Sequence, residues 1–492
     1  MKRRTPRLAQ IGDVYTFRDR DRFGACQVVS IGESAKRVQA EVATIEWLAK
    51  EPPTAKDKLA LLNQDWGHWN GGPHRCWVDV EIPWWMELAF RADVLERFDD
   101  ECNAYGHWQT SCGVFHREKW LRRKNQRIGA LPEKISVDLG GGAREVRKDA
   151  HHLVIGDTTP WSFRVPEKGR PDFAALDVLE RLDEVTYYGD DPAFADWVAE
   201  RDLEVVDWTR HGQRKIDLSR MRGLDQLRVD VGDEDLALKV PDTLGSLTLR
   251  RRPEGATVSG ADVRFPFELR LEAKRMGAPR GIGAPAVVVF SGVVSSNTRA
   301  LAAFPDVSEL SIHGAPGAIT DASGFASLRG LRKLELRETY GLDAGRFPTT
   351  WPALDEVRIH GVEKKDSEVL KRAFGEVPVV RISGARTEAW IAANLDNPFR
   401  EWEEDDPAFG KAACAAWKKA KAEVTKLGAN AKKEDAEAVL QALVVKLNKL
   451  DAKHDIDTLR REEAGEAFFA LARDCGVDSA TAEKWFDAWR DF

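Results

Sequence analysis

The chain has 492 residues, past the size at which one hydrophobic core keeps growing, so roughly two to four structural units are expected. Hydrophobic residues at 43% and charged residues at 32% are enough for packed cores and exclude disorder on a large scale. The formal charge of −7, with both signs interspersed along the chain, excludes a global nucleic-acid footprint.

The opening MKRRTPRLAQIGDVY is basic but has no apolar stretch behind it, and no run approaches the ~20 apolar residues of a membrane span. Six cysteines, Cys26, Cys76, Cys102, Cys112, Cys414 and Cys475, suit a reducing compartment better than a disulfide framework in so long a chain. A cytoplasmic protein without a membrane partner is expected.

Residues 1–165 read as a β-rich domain. Nine of the 17 tryptophans fall there, among short strand-like runs at 14–17, 26–31 and 77–82 that are broken by glycine and proline. Gly140, Gly141 and Gly142 follow a strand-like ISVDL but lack the Gly-Lys-Ser/Thr of a phosphate loop. Cys76, Cys102, Cys112, His107 and His116 lie close in sequence, yet the tight cysteine pairs of a zinc site are missing. Cys26 or Cys112 could in principle form a thiolate pair with His68, His74, His107 or His116. No nucleophile elbow or H-E-x-x-H selects one of them. No catalytic residue, metal site or cofactor is therefore assigned, and buried thiols with ordinary histidines are expected.

The middle third is periodic. Two apolar residues separated by one other recur at intervals of roughly 18 to 24: Val185/Tyr187, Val206/Trp208, Leu227/Val229, Leu247/Leu249, Leu269/Leu271, Val287/Val289, Leu310/Ile312, Leu334/Leu336, Val357/Ile359 and Val380/Ile382. Most have a further apolar residue three positions earlier: Leu182, Leu203, Leu224, Leu244, Val307, Leu331, Leu354 and Val377. Side chains in a strand alternate, so both members of a pair point into a stack and the residue between them points out. Segments 172–182 and 191–201 begin with Asp and carry helix-spaced apolar residues, which predicts short helices between strands.

This L-x-x-L-x-L pattern resembles the leucine-rich-repeat family over about residues 170–390. The resemblance implies an α/β fold, a leucine-rich-repeat-like solenoid with a parallel sheet at 170–392. The family's Asn or Cys position is occupied here by Asp190, His211, Gly232, Arg252, Lys274, Gly292, Ala315, Thr339, Val362 and Ala385, so no asparagine ladder is expected. Pro266 and Ala284 replace the first apolar residue of their repeats, which predicts irregularity around 276–285.

Alternation also nominates the outward side chains: Arg228, Asp230, Arg250, Arg270, Glu272, Ser311, His313, Glu335, Arg337, Arg358, His360 and Arg381. Side by side, they would form one extended face for a protein partner, with arginine forks suited to carboxylates.

From about residue 397 the spacing turns helical, and a helical C-terminal domain is expected over 397–492. Ala412, Ala416, Ala420, Val424 and Leu427 mark one helix, stopped by Gly428. Val439, Leu443, Leu447 and Leu450 mark a second. A third runs from Asp457 through Leu459, Phe468 and Leu471 to Gly476, and Trp485 and Trp489 share a face of the last.

The segment 11–32, with Gly12-Asp13-Val14-Tyr15, a polar loop, Gly24 and the strand 25–31, resembles the opening of the immunity protein 26 family of bacterial polymorphic toxin systems. That resemblance implies a non-catalytic immunity protein whose partner is a toxin domain, which it neutralises by docking and occlusion. Two other readings remain open: an enzyme, such as a nucleic-acid hydrolase, with its site in residues 1–160 and repeats that recruit substrate, and an intracellular signalling scaffold.

Overall fold

A computed structural model describes residues 6–19, 22–34, 37–64, 72–100, 102, 104–108, 113–125, 131–159, 161–260, 267–342, 344–429, 431–454 and 456–492. The chain forms two compact units, residues 1–360 with 366–382, and residues 361–365 with 383–492.

The first unit opens with an antiparallel sheet of β1 (Asp13–Asp19), β2 (Arg22–Ser34), β3 (Arg37–Ala49), β4 (Arg75–Asp79) and β5 (Glu87–Arg91), in the order β4-β3-β2-β1-β5. Helix α1 (Gly113–Asn125) follows. Both faces of the sheet are covered: Tyr15, Phe17, Cys26, Val28, Val42 and Trp108 pack on one side, and Val14, Ala25, Ala43 and Ile45 on the other. The Gly12-Asp13-Val14-Tyr15 run has a structural role. Gly12 has φ 88°, and a Cβ there would lie 2.3 Å from the carbonyl oxygen of Ala92. Asp13 is buried and accepts from Arg91 Nε (2.6 Å), Tyr15 OH (2.9 Å) and the Gln10 amide (3.0 Å), so its charge is compensated. A hairpin of β6 (Lys134–Val137) and β7 (Arg144–Arg147) is closed by Asp138, which accepts from the Gly140 and Gly142 amides. The glycine run is thus a turn.

Then come β8 (His152–Ile155), β9 (Glu184–Tyr188), α2 (Ala193–Ala199), β10 (Val205–Thr209), β11 (Lys215–Asp217), β12 (Gln226–Asp230), β13 (Leu236–Lys239), β14 (Ser246–Arg250), β15 (Ala256–Ser259), β16 (Glu268–Glu272), β17 (Val287–Ser296), β18 (Glu309–Ile319), β19 (Lys333–Tyr340), β20 (Glu356–Glu363), α3 (Lys364–Ala373) and β21 (Val379–Arg386). Eleven of these strands form one sheet whose spatial order is the chain order, and its successive pairs are parallel. The expected apolar pairs stack in register: Leu227 lies between Val206 and Leu247, and Val229 between Trp208 and Leu249. The preceding residues Leu203, Leu224, Leu244, Val307, Leu331, Leu354 and Val377 are buried beside them.

The structure corrects the sequence reading in several places. The sixth pair is Val288/Phe290, set against Leu269/Leu271, while Val287 and Val289 lie on the other face. In a run of four apolar residues the two parities look alike, and neighbouring strands decide between them. Pro285 is accordingly buried in place of Ala284, whereas Pro266 lies outside the described residues. Val380 and Ile382 are only half-buried. The parallel sheet begins at β8, inside the segment assigned to the N-terminal domain.

Between strands, 172–182 holds a 3-10 helix (Phe173–Val178) and 191–201 holds α2. Further on, alternating runs form a second parallel sheet of β11, β13 and β15, which buries Ile216, Leu238 and Val258. Residues 273–286 contain no helix or strand, only the bridge of Arg280 to Thr257.

The second unit contains α4 (Glu388–Asn394), α5 (Trp402–Asp405), α6 (Pro407–Leu427), α7 (Lys433–His454), α8 (Thr458–Asp474) and α9 (Ser479–Trp489). Asp406, Asp457 and Asp478 cap three of these helices, and Gly428 ends α6 with φ 70°. The buried stripe of α6 is Phe409, Ala413, Cys414, Trp417, Ala420 and Val424, rotated from the expected one, with Ala412 and Ala416 at its margin. Leu459 is exposed. Trp485 and Trp489 stack with ring centroids 5.4 Å apart.

The register of β17 yields a direct comparison. Val288→Thr buries an unpaired hydroxyl and is expected to cost about 1–3 kcal/mol, while Val287→Thr changes stability by less than about 0.5 kcal/mol. Urea midpoints measure both, and the reverse ranking would restore the alternative register.

Candidate functional site

The outward positions of the eleven-stranded sheet line up in rows. One row contains Glu268, Val287, Glu309, Lys333 and Glu356; the next contains Asp207, Arg228, Thr248, Arg270 and Val289, then Ser311, Glu335 and Arg358. In a third, Asp230, Arg250 and Glu272 stand side by side, as do His313, Arg337 and His360.

Many of these side chains serve the sheet itself. Arg250 holds Asp207 with two hydrogen bonds of 2.7 and 2.8 Å and lies 3.3 Å from Glu272, while Arg228 is 3.9 Å from Asp207. Alternation could have nominated Asp207 from sequence; it is the buried acceptor of this cluster. Asp230 is also buried and accepts from the Arg210 amide at 3.1 Å, which removes it from the docking set. Glu335 lies 3.0 Å from Arg337 and 3.6 Å from His313, and these neighbours, His313 first, hold its carboxyl below the ordinary range. Arg270 pairs with Glu268. Arg337 and Glu272 are exposed, and His360 is half-buried.

The N-terminal module lies across the same face. Trp84 Nε1 donates to Glu309 Oε1 at 2.8 Å, and Arg332 sits over the Trp84 ring at 5.6 Å. Arg358 is 3.6 Å from Asp79, Arg381 donates to Glu81 at 3.3 Å, and Lys119 on α1 lies 3.5 Å from Asp225 and 3.7 Å from Glu204. The loop that carries these groups is braced from within: Trp108 Nε1 donates to the carbonyls of Asp79 and Glu81, and Arg7 to that of Met86. Each exposed ion pair is worth only ~0–1 kcal/mol, so the indole is the anchor and the pairs set the register of docking. Arg358 and Arg381, expected to meet an outside partner, therefore meet the chain's own module. Nothing in the sequence marks Asp79, Glu81, Trp84 or Lys119 for this, since a tertiary contact leaves no period.

Two cavities lie between module and sheet. One of about 760 Å³ is bounded by Phe17, Trp84, Trp85, Phe115, Lys119 and Val287; another of about 1,130 Å³ by His107, Trp108, Glu335 and Arg358, with Trp84, Trp85 and His116 common to both. His74 lines neither cavity and is half-buried. Its Nδ1 is 2.8 Å from Thr44 Oγ1, and burial, helped by the positive charge of His116, lowers its pKa from the ordinary 6.5 to about 4. Cys26, Cys76 and Cys102 are buried, and burial pushes the Cys102 thiol up, away from the thiolate that nucleophilic or metal chemistry needs. Cys112 and His68 lie outside the described residues. Among the described residues no three His, Cys, Asp or Glu side chains gather as a metal site, and no helix is long and apolar enough to cross a membrane.

Trp84→Ala is expected to speed amide exchange at least about tenfold over residues 79–86 while the stacked interior strands stay protected; equal exchange would mean that the indole does not anchor the module. For His74 the unfolded chain binds a proton that the folded chain refuses. Its contribution is complete above about pH 6.5 and is lost as pH falls through 4. His74→Asn should flatten the fall in urea midpoint between pH 7 and pH 5 by about one proton's worth, and an unchanged slope would assign that fall to other groups. No family model matches the chain, and neither does any curated protein.

Proposed function

We propose that residues 170–392 form a leucine-rich-repeat-like solenoid and that the chain is a non-catalytic protein-binding protein, an immunity protein that docks on a toxin domain and occludes it. The observation that carries this reading is the outward face of the parallel sheet. Arg270 and Glu272 on β16 and Arg337 on β19 present exposed side chains on one face of the sheet, held by a stacked apolar layer that does not depend on them. A rigid array of this kind meets a partner with little ordering cost. The Gly12-Asp13-Val14-Tyr15 opening supports the immunity assignment, and buried thiols in the N-terminal module support a role without nucleophilic chemistry.

An enzymatic reading keeps one observation in its favour, the position of His107 and His116 at the 1,130 Å³ cavity. The two readings separate by mutation. Arg250 and Arg358 hold the protein together, so they are poor probes of docking. Arg270→Glu with Arg337→Glu should weaken binding of the toxin domain encoded beside this chain about tenfold or more at low salt, with a thermal midpoint within about 2 °C of the parent. His107→Gln and His116→Gln should leave both binding and protection intact. Unchanged affinity in the double arginine variant would remove the docking face, and loss of an activity in the histidine variants would establish the enzyme.

A further inference from the structure

Just beyond the third row, the backbone turns left-handed in several rungs. Glycine takes that position at Gly292, Gly361 and Gly384, with φ 73°, 70° and 62°. Arg210, Arg251 and Glu338 take it at φ 57°, 73° and 49°, where a side chain is disfavoured. Two of these three have a local reason. Arg210 lies over the Tyr188 ring at 5.3 Å, and buried Glu338 accepts from Tyr340 OH at 3.1 Å. Arg251 is different: its side chain is exposed and has no ion-pair or hydrogen-bond partner among the described residues.

Arg251 opens onto a groove of about 700 Å³ at the ends of β14, β16 and β17, together with Lys274 and Arg275. These two are also exposed and without ion-pair partners among the described residues. Glu272 on the groove wall is met by Arg250, which leaves three uncompensated cations facing Glu254. The cations sit on rungs ~4.8 Å apart, so one extended segment can meet several of them. Like charges gathered at a strained position raise the energy of the unbound chain, and an anion relieves it.

We propose that this groove is a subsite for an acidic segment of a protein partner, with Arg251, Lys274 and Arg275 holding its carboxylates. The proposal rests on the docking function above and names the chemistry of the partner. Glu254 and Glu272 on the wall disfavour the evenly charged backbone of a nucleic acid, while separate carboxylates can be placed between them.

The test titrates the full chain with fluorescein-labelled hexaglutamate at low ionic strength, beside hexaglutamine and a thymidine hexanucleotide. Hexaglutamate should bind, hexaglutamine should not, and the oligonucleotide should bind more weakly. Arg251→Gly should weaken hexaglutamate binding about threefold to tenfold while raising the thermal midpoint by ~1 °C, because glycine relieves the backbone. Lys274→Ala with Arg275→Ala should weaken it further. No hexaglutamate binding, or binding untouched by these substitutions, overturns the subsite; tighter oligonucleotide binding overturns the choice of carboxylate. Because the peptide stands in for no particular toxin, failure of the subsite is read apart from failure of the docking function, which the Arg270/Arg337 variant reports.

Discussion

The layer of apolar pairs inside the eleven-stranded sheet is the constraint on which the rest of the first unit depends. Leu247 and Leu249 are fully buried only because Leu227/Val229 and Leu269/Leu271 lie against them, and the same holds at each interior rung. A single rung has nowhere to place its apolar face, so the sheet gains stability by adding neighbours. Once inward positions are fixed, parity fixes the outward ones. Arg250 can then reach across Arg228 to Asp207 two strands away, and Glu309 can meet Trp84.

That constraint also explains what could be read in advance. A pair separated by one residue and repeated near 20 residues carries its own direction, so most of the stack and the nominated outward side chains could be placed from sequence alone. The reading failed where parity vanishes: in the run 287–290 every residue is apolar, and only pairing with Leu269 and Leu271 selects Val288 and Phe290. The helical region shows the same effect on a different period. Alanine-rich α6 offers two plausible stripes, and the large residues Phe409 and Trp417 decide which one is buried. Contacts such as Trp84 with Glu309 link residues far apart in sequence and belong to neither period.

The docked module changes the meaning of the outward face. Alternation alone treats Arg358, Arg381 and Arg337 as equivalent, yet Asp79 and Glu81 approach the first two while the third is exposed. Burial divides the remainder in a similar way. Asp230 and Asp207 are acceptors sunk into the face, and a buried carboxylate without its donors would be costly, so they belong with the structure they stabilise. What is left for a partner is a subset displaced toward the carboxyl ends of the strands.

Arg250 and Arg251 show how narrow that division is. They are adjacent in sequence, identical in type and carried by the same strand end, yet Arg250 joins β14 to β10 and β16 while Arg251 pairs with no acid among the described residues. The difference comes from one backbone torsion. A residue in the pleat points its side chain along the row, where register supplies partners; in the left-handed turn Arg210 finds the Tyr188 ring and Glu338 the Tyr340 hydroxyl, whereas Arg251 finds no ion pair among the described residues. Glycine would be favoured at that turn by conformation alone, as Gly292 illustrates two strands away. Arg251 in that turn is a cost that no ion pair among the described residues offsets, and a bound carboxylate would offset it.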